Sequence, residues 1–257
     1  MIAFITGASS GLGHEFAIEL AKRGYDLILV ARRRDRLEDL KRKLATNVTV
    51  IDADLSDEKS CIEICKQLED TEIDIAINNA GIGACGAFAE IDLLHEMQMV
   101  NLNIRAVHIF TKFFVKKFLT QKYGMIWNVA SSAAFLPGPY MASYYATKAY
   151  VLRLSQAVRK ETGKSGIKVC AFCPGPVKTE FDSVADVAVS LHGMDCRKAA
   201  QYGVKKLLKG KTVVIPGVVT KVSVFASKLL PDWILVRIAE KIQKSKLGGT
   251  VSDHKGI

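Results

Sequence analysis

Tyr144 and Lys148 stand four residues apart in Tyr144-Tyr145-Ala146-Thr147-Lys148. On a helix that spacing puts both side chains on one face, one turn apart. A neighbouring ammonium stabilises phenolate and so lowers the tyrosine's pKa from about 10 toward working pH. A phenol tuned in this way suits the donation of a proton to a forming alkoxide. The pattern by itself is also common as surface decoration. Ser131 closes the apolar run Met125–Ala130, where its hydroxyl could polarise a substrate carbonyl. A serine there also serves to cap the next segment, and Ser132 competes for the role.

A second constellation sits at the start of the chain, in Thr6-Gly7-Ala8-Ser9-Ser10-Gly11-Leu12-Gly13. It joins an apolar strand to a helix, where unpaired backbone N–H groups and the helix dipole favour a phosphate. The spacing is G-x-x-x-G-x-G, which differs from the G-x-G-x-x-G dinucleotide fingerprint, and a tight packing turn is the other reading. Gly7-Ala8-Ser9-Ser10-Gly11 also fits the G-x-S-x-G elbow of hydrolases. That elbow needs an earlier strand and loop for its oxyanion hole, and only Met1–Thr6 comes before it. The second strand runs out into Val30-Ala31-Arg32-Arg33-Arg34. Ala31 leaves no carboxylate for ribose hydroxyls, and Arg32 offers a planar fork for a phosphate, which selects NADP(H) over NAD(H). A solvated helix start is the alternative.

The elements that position these residues alternate in period. Apolar runs at Ile2–Thr6, Asp26–Ala31, Val48–Asp52, Ile73–Asn78, Met125–Ala130, Ile167–Cys173 and Thr212–Ile215 predict strands. Between them, helical periods fall at Gly11–Arg23, Arg34–Leu44, Asp57–Leu68, Leu93–Leu119 and Ser143–Thr162, with another before Gly210. This rhythm predicts an α/β fold: a single-domain, doubly wound Rossmann-type parallel sheet of about seven strands with helices on both faces. The whole chain, 1–257, reads as one dinucleotide-binding domain, with a substrate-lid region at 180–210 and an amphipathic basic tail at 218–247.

Composition excludes several classes. With 49% hydrophobic and 24% charged residues the chain is an ordinary globular one. It has no run of about eighteen apolar residues and no signal-peptide pattern at Met1–Ser10, so a cytoplasmic protein is expected. The six cysteines are too few and scattered for a disulfide scaffold. Cys170 and Cys173 read as buried strand residues, Cys61 and Cys65 as one packed helix face, and no metal site is expected. The net charge of +10 lies entirely beyond residue 196, where 13 Lys or Arg face 3 Asp or Glu.

Taken together, these residues resemble the short-chain dehydrogenase/reductase family in order over nearly the whole chain. The family's glycine turn is similar to Thr6–Gly13, its Asn-Asn-Ala-Gly segment to Asn78-Asn79-Ala80-Gly81, and its helix asparagine to Asn101. Its serine, tyrosine and lysine fall on Ser131, Tyr144 and Lys148, the family's serine-to-tyrosine spacing selecting Ser131 over Ser132. Its Pro-Gly element is similar to Pro174-Gly175-Pro176-Val177-Lys178-Thr179. The resemblance implies that Ser131 orients a carbonyl, Tyr144 donates a proton, Lys148 binds the nicotinamide ribose and Asn101 holds a relay water. It further implies cofactor contacts at Gly7, Ser9, Ser10, Gly11, Leu12, Gly13, Arg32, Asp54, Leu55, Asn79, Ala80, Gly81, Pro174, Gly175, Val177 and Thr179. It implies a homodimer or homotetramer, formed through the helices at Leu93–Leu119 and Ser143–Thr162. The same motifs would also serve an NADP(H)-binding sensor without turnover.

Substrate choice is expected in Glu180–Met194, where Phe181, Val184, Val187 and Leu191 offer an apolar lining for a small carbonyl or alcohol. They fit equally a lid helix packed on its own core. In the tail, Val222, Phe225 and Leu229 share one face before Pro231, and Trp233, Ile238 and Ile242 continue it. The interleaved Lys221, Lys228, Arg237, Lys241 and Lys244 make this a candidate membrane-surface element, or a helix packed on the core or a partner subunit. No aromatic platform or recognition motif accompanies these lysines, so nucleic acid is not expected.

Overall fold

In a computed structural model, residues 1–181 and 193–244 are described. Seven parallel strands form one sheet: β1 (Ile2–Thr6), β2 (Asp26–Ala31), β3 (Val48–Asp52), β4 (Ile75–Asn78), β5 (Gly124–Val129), β6 (Ile167–Phe172) and β7 (Val213–Val214). Their order is β3-β2-β1-β4-β5-β6-β7, so the winding reverses between β1 and β4. Such a reversal opens a crevice at the carboxyl ends of the strands, and ligands of open α/β sheets bind there.

The alternation of each strand explains why both faces are covered. In β1, Ala3 and Ile5 face one core and Phe4 the other; in β2, Leu27 and Leu29 oppose Ile28 and Val30. On the first face lie α1 (Gly11–Ala21), α2 (Arg34–Lys43) and α7 (Cys196–Leu207), around Phe16, Trp127 and Phe172. On the second lie α3 (Glu58–Gln67), α5 (Val107–Gln121) and α6 (Ala142–Glu161), around Phe4, Phe110, Phe114 and Phe118. Each of these enclosed aromatic side chains contributes about 1.5–3 kcal/mol of burial, and together they fix the helices against the sheet.

The helix expected over Leu93–Leu119 runs unbroken to Gln121 but changes its winding on the way. It forms α4 (Leu93–Val100), then a wider π-turn segment at Asn101–Ala106, then α5. A π segment inserts a residue and rotates the register of the side chains that follow, which matters below. The tail divides at Pro231 into α8 (Val218–Ser227) and α9 (Asp232–Lys244). In α9 the buried stripe is Leu235, Ala239 and Gln243, whereas Trp233, Ile238 and Ile242 are exposed. Of the two arrangements open to the tail, these three side chains take the outward one. Among the described residues no helix is long and apolar enough to cross a membrane. Cys61, Cys65, Cys170 and Cys173 are buried free thiols, and burial pushes the last of these up to about 12, as packing residues rather than a redox pair.

Candidate active site

The crevice at the β1/β4 reversal is a cavity of about 410 Å³. Its first wall is the glycine turn. Gly7 holds φ at +67°, and a Cβ there would stand 2.8 Å from the Ala80 Cα, so only glycine lets the two chain segments meet. Asn79 completes the lock: its Nδ2 donates to the carbonyls of Thr6 and Gly7, and Thr6 Oγ1 accepts from the backbone N–H groups of Asn79 and Ala80. The Asn-Asn-Ala-Gly segment thus builds the turn as well as lining the cavity.

Of the predicted cofactor residues, Gly7, Ser9, Ser10, Gly11 and Leu12 line the cavity, with Arg32, Asp54 and Leu55 at one end. Asn79, Ala80 and Gly81 also line it, as do Pro174, Gly175, Val177 and Thr179, the last beside Gly11. Gly13 does not line the cavity; a Cβ there would stand 2.4 Å from the Gly7 carbonyl oxygen, so this glycine lets α1 pack beneath the turn.

The arginines also divide differently from the sequence reading. Arg32 Nη1 lies 4.0 Å from Asp54 Oδ2. Arg33 reaches across the turn instead, donating from Nη2 to Ser9 Oγ at 3.2 Å and to Ser10 Oγ at 2.8 Å. Its Nη1 pairs at 2.9 Å with Glu180, which Arg36 also holds. Hydrogen bonds from Arg36 and then Arg33 keep the Glu180 carboxyl below the usual carboxylate range. A carboxylate seated on Arg33 beside two serine hydroxyls marks a place with the donors an anion needs.

The side chains expected to react lie on the same cavity. Ser131, Tyr144 and Lys148 all line the cavity. Ser131 follows β5 and caps the short 3-10 turn Ser132–Phe135, its Oγ accepting from Ala133 N at 3.1 Å. Capping uses a lone pair and leaves the hydroxyl proton available, so the cap does not preclude the second role weighed for this serine. Lys148 Nζ donates to the Val129 carbonyl at 3.0 Å and lies 5.7 Å from the centre of the Tyr144 ring. Burial lowers the Lys148 ammonium to about 8. The Tyr144 ring is packed by Phe181 at 5.2 Å and by the edge of Tyr145 at 6.1 Å. Of the four expected lining residues Phe181 is described; Val184, Val187 and Leu191 lie outside the described residues, as do residues 245–247 of the tail.

Neither Asn101 nor Asn103, two residues further along the π segment, lines the cavity, and Asn103 is fully buried beside Thr147 and Lys148. Asn103 Oδ1 accepts from Ile82 N at 3.0 Å, and Nδ2 donates to Ile82 O and to Thr147 Oγ1. A Cβ on Gly81 would stand 3.0 Å from this Oδ1 and 3.3 Å from Lys148 Nζ. Asn103 therefore ties the strand exit of β4 to α6 where Tyr144 and Lys148 project. A buried ladder supports the same register: Asn78 donates to Asn128 at 2.8 Å, and Asn128 donates to Ser155 on α6 at 2.9 Å. Nothing in the spacing of Asn78, Asn128 and Ser155 discloses this ladder, since the sheet order brings them together.

Comparison with known proteins agrees with this architecture. The family model described as short chain dehydrogenase matches residues 1–187. An uncharacterised oxidoreductase of Staphylococcus epidermidis is 31% identical over 187 residues, which cover 72% of this chain and 81% of that one. Among solved structures, the short-chain dehydrogenase from Sphingobium yanoikuyae in complex with NADPH superposes with a TM-score of 0.82 at 29% identity, covering 100% of this chain and 98% of that one. The bulky-bulky ketone specific alcohol dehydrogenase from Comamonas testosteroni gives 0.77 at 29% identity, covering 100% and 96%. The sheet order, the glycine turn and these matches have one meaning: the chain is an oxidoreductase and belongs to the short-chain dehydrogenase family.

Proposed function

We propose that the protein transfers a hydride between NADP(H) and an apolar ketone, aldehyde or secondary alcohol. The observation that carries this reading is the convergence of Ser131, Tyr144 and Lys148 on the same cavity as the glycine turn. The cradle fits a dinucleotide: a backbone too close for any Cβ at Gly7, and an anion position at Arg33, Ser9 and Ser10. When bound there, the nicotinamide supplies the hydride. Ser131 orients the carbonyl with its free hydroxyl proton, and Tyr144 gives its proton to the oxygen. Lys148 favours the phenolate that remains and would hold the nicotinamide ribose, while the backbone at Val177 and Thr179 would hold the carboxamide. The NADPH found with the Sphingobium yanoikuyae protein and the bulky ketones of the Comamonas testosteroni one support the assignment.

Calorimetric titration with NADPH and NADH tests the cofactor. NADPH is expected to bind more tightly. Arg33→Ala and Arg32→Ala each weaken it by about 10- to 100-fold while changing NADH little, since only the extra phosphate loses a charge-assisted partner. The larger loss is expected at Arg33, which bridges the turn. Preference for NADH would overturn the NADP(H) assignment.

The exposed tail supports a further part of the reading, contact with an anionic membrane surface. Val218, Val219, Val222, Phe225, Leu229 and Trp233 are 61–80% exposed, far more apolar surface than scattered single residues provide. Arg237 lies over the Trp233 ring and Lys228 over Phe135, the arrangement of cations around an apolar face that suits lipid head groups. Co-sedimentation at low salt with phosphatidylglycerol vesicles, but not with phosphatidylcholine ones, is the expected result, weakened by Trp233→Glu and by salt. Absence of binding at low salt would remove the membrane from the reading.

A further inference from the structure

Around the Tyr144 ring the cavity is walled by Met141, Tyr145, Phe181 and Ala133, and α9 contributes Gln243. Gln243 is 1% exposed, in line with Leu235 and Ala239 on the inward stripe of its helix. A buried amide is costly unless its donor and acceptor are both used. The Nε2 of Gln243 donates to the Tyr145 hydroxyl, but its Oε1 is enclosed and has no hydrogen-bond partner among the described residues. Turning the amide about exchanges which atom is orphaned and leaves one of them orphaned still.

Tyr145 cannot relieve this by moving. A Cβ on Gly138 would stand 2.4 Å from its ring, so the ring lies flush against that glycine, and its other side meets Tyr144. Burial raises the Tyr145 phenol above its ordinary value, so the hydroxyl keeps its proton. Having accepted from Gln243, that hydroxyl still has a proton to give. Gln243 lines the cavity, and a turn of its amide toward the substrate sets one donor and one acceptor side by side in an otherwise apolar surround.

We propose that Tyr145 and Gln243 form a polar subsite that takes a hydroxyl or carboxamide on the substrate, away from the reacting carbonyl. Each of those groups both donates and accepts, which matches the pair. An ether or a second ketone uses the donor alone, and a carboxylate sets a negative charge against Oε1. This inference rests on the reading that a ketone binds at Ser131 and Tyr144, and it narrows that reading from apolar carbonyl compounds to those carrying one such polar group.

The test is a series of aryl ketones bearing a hydroxymethyl group ortho, meta or para to the carbonyl, each beside its methyl counterpart. Both NADPH consumption and calorimetric binding to the protein saturated with NADP+ are measured, because the second readout needs no turnover. At least one hydroxymethyl ketone is expected to exceed its methyl counterpart by about 10- to 100-fold, through KM and Kd rather than kcat. That ratio is expected to fall to near one in Gln243→Leu and in Tyr145→Phe, with NADPH affinity confirming the fold. Gln243→Met replaces the leucine variant if α9 is disturbed. A series without any preference, or a preference surviving in both variants, overturns the subsite. Binding preference without NADPH consumption would instead overturn the reductase reading and leave the subsite standing.

Discussion

Tyr144→Phe is expected to reduce ketone turnover by about 10²- to 10⁴-fold, the range supplied by a positioned general acid, while leaving NADPH affinity unchanged. The phenylalanine keeps the packing of the ring against Phe181 and Tyr145 and loses only the hydroxyl. The defect should therefore fall equally on kcat and kcat/KM, as for an interaction made in the transition state and not in the ground state. Stopped-flow and steady-state measurement of NADPH oxidation read both quantities. Unchanged reduction would remove Tyr144 from its role. A wild-type protein that binds NADPH and reduces none of a broad ketone panel would point to the sensor alternative.

The sequence carried the frame because period and punctuation were strong there. All seven strands fall where alternating and continuous apolar runs meet glycine or polar breaks, and the turn at Gly7 is legible since a phosphate cradle and a packing turn both demand glycine. Asn101 and Asn103 show where local reading stops. Both sit in an apparently uninterrupted helical period, and only the π segment decides which of the two turns toward Ile82 and Thr147. Arg32 and Arg33 are neighbours leaving a strand, so they diverge; composition names a cation but not which one crosses Ser9 and Ser10.

The tail was legible only as alternatives. Its apolar residues are numerous enough to support two faces, and Trp233, Ile238 and Ile242 gave one that turns outward. The inward stripe at Leu235 and Ala239 continues to Gln243, and a lone glutamine four residues beyond two small or apolar ones was the available signal. At Gly13 a sequence does not distinguish a glycine that admits ligand from one that admits a neighbouring carbonyl, and here the Gly7 carbonyl is the close neighbour.

Lys148→Met is expected to abolish turnover and yet raise thermal stability at pH 7. The ordinary lysine value of 10.5 is lowered to about 8 by burial. That depression corresponds to a cost of about 3 kcal/mol at neutral pH, since the folded protein must protonate an enclosed amine. The hydrogen bond to the Val129 carbonyl, worth about 1–2 kcal/mol, offsets part of it. The balance favours methionine by about 1–2 kcal/mol, a rise of roughly 2–6 °C in Tm for a chain of this size. Between about pH 8 and 10.5 the unfolded chain binds more protons at this residue than the folded one, so the wild-type contribution to stability grows with pH. The variant's advantage should accordingly shrink across that window. Scanning calorimetry of both proteins from pH 7 to about 10 measures the difference, in which other titrating groups cancel. A methionine variant melting below wild type at pH 7 would mean that the Val129 contact outweighs desolvation. The expected sign instead identifies Lys148 as a residue the fold carries at a loss, whose buried charge is useful only once a phenol and a cofactor are there to use it.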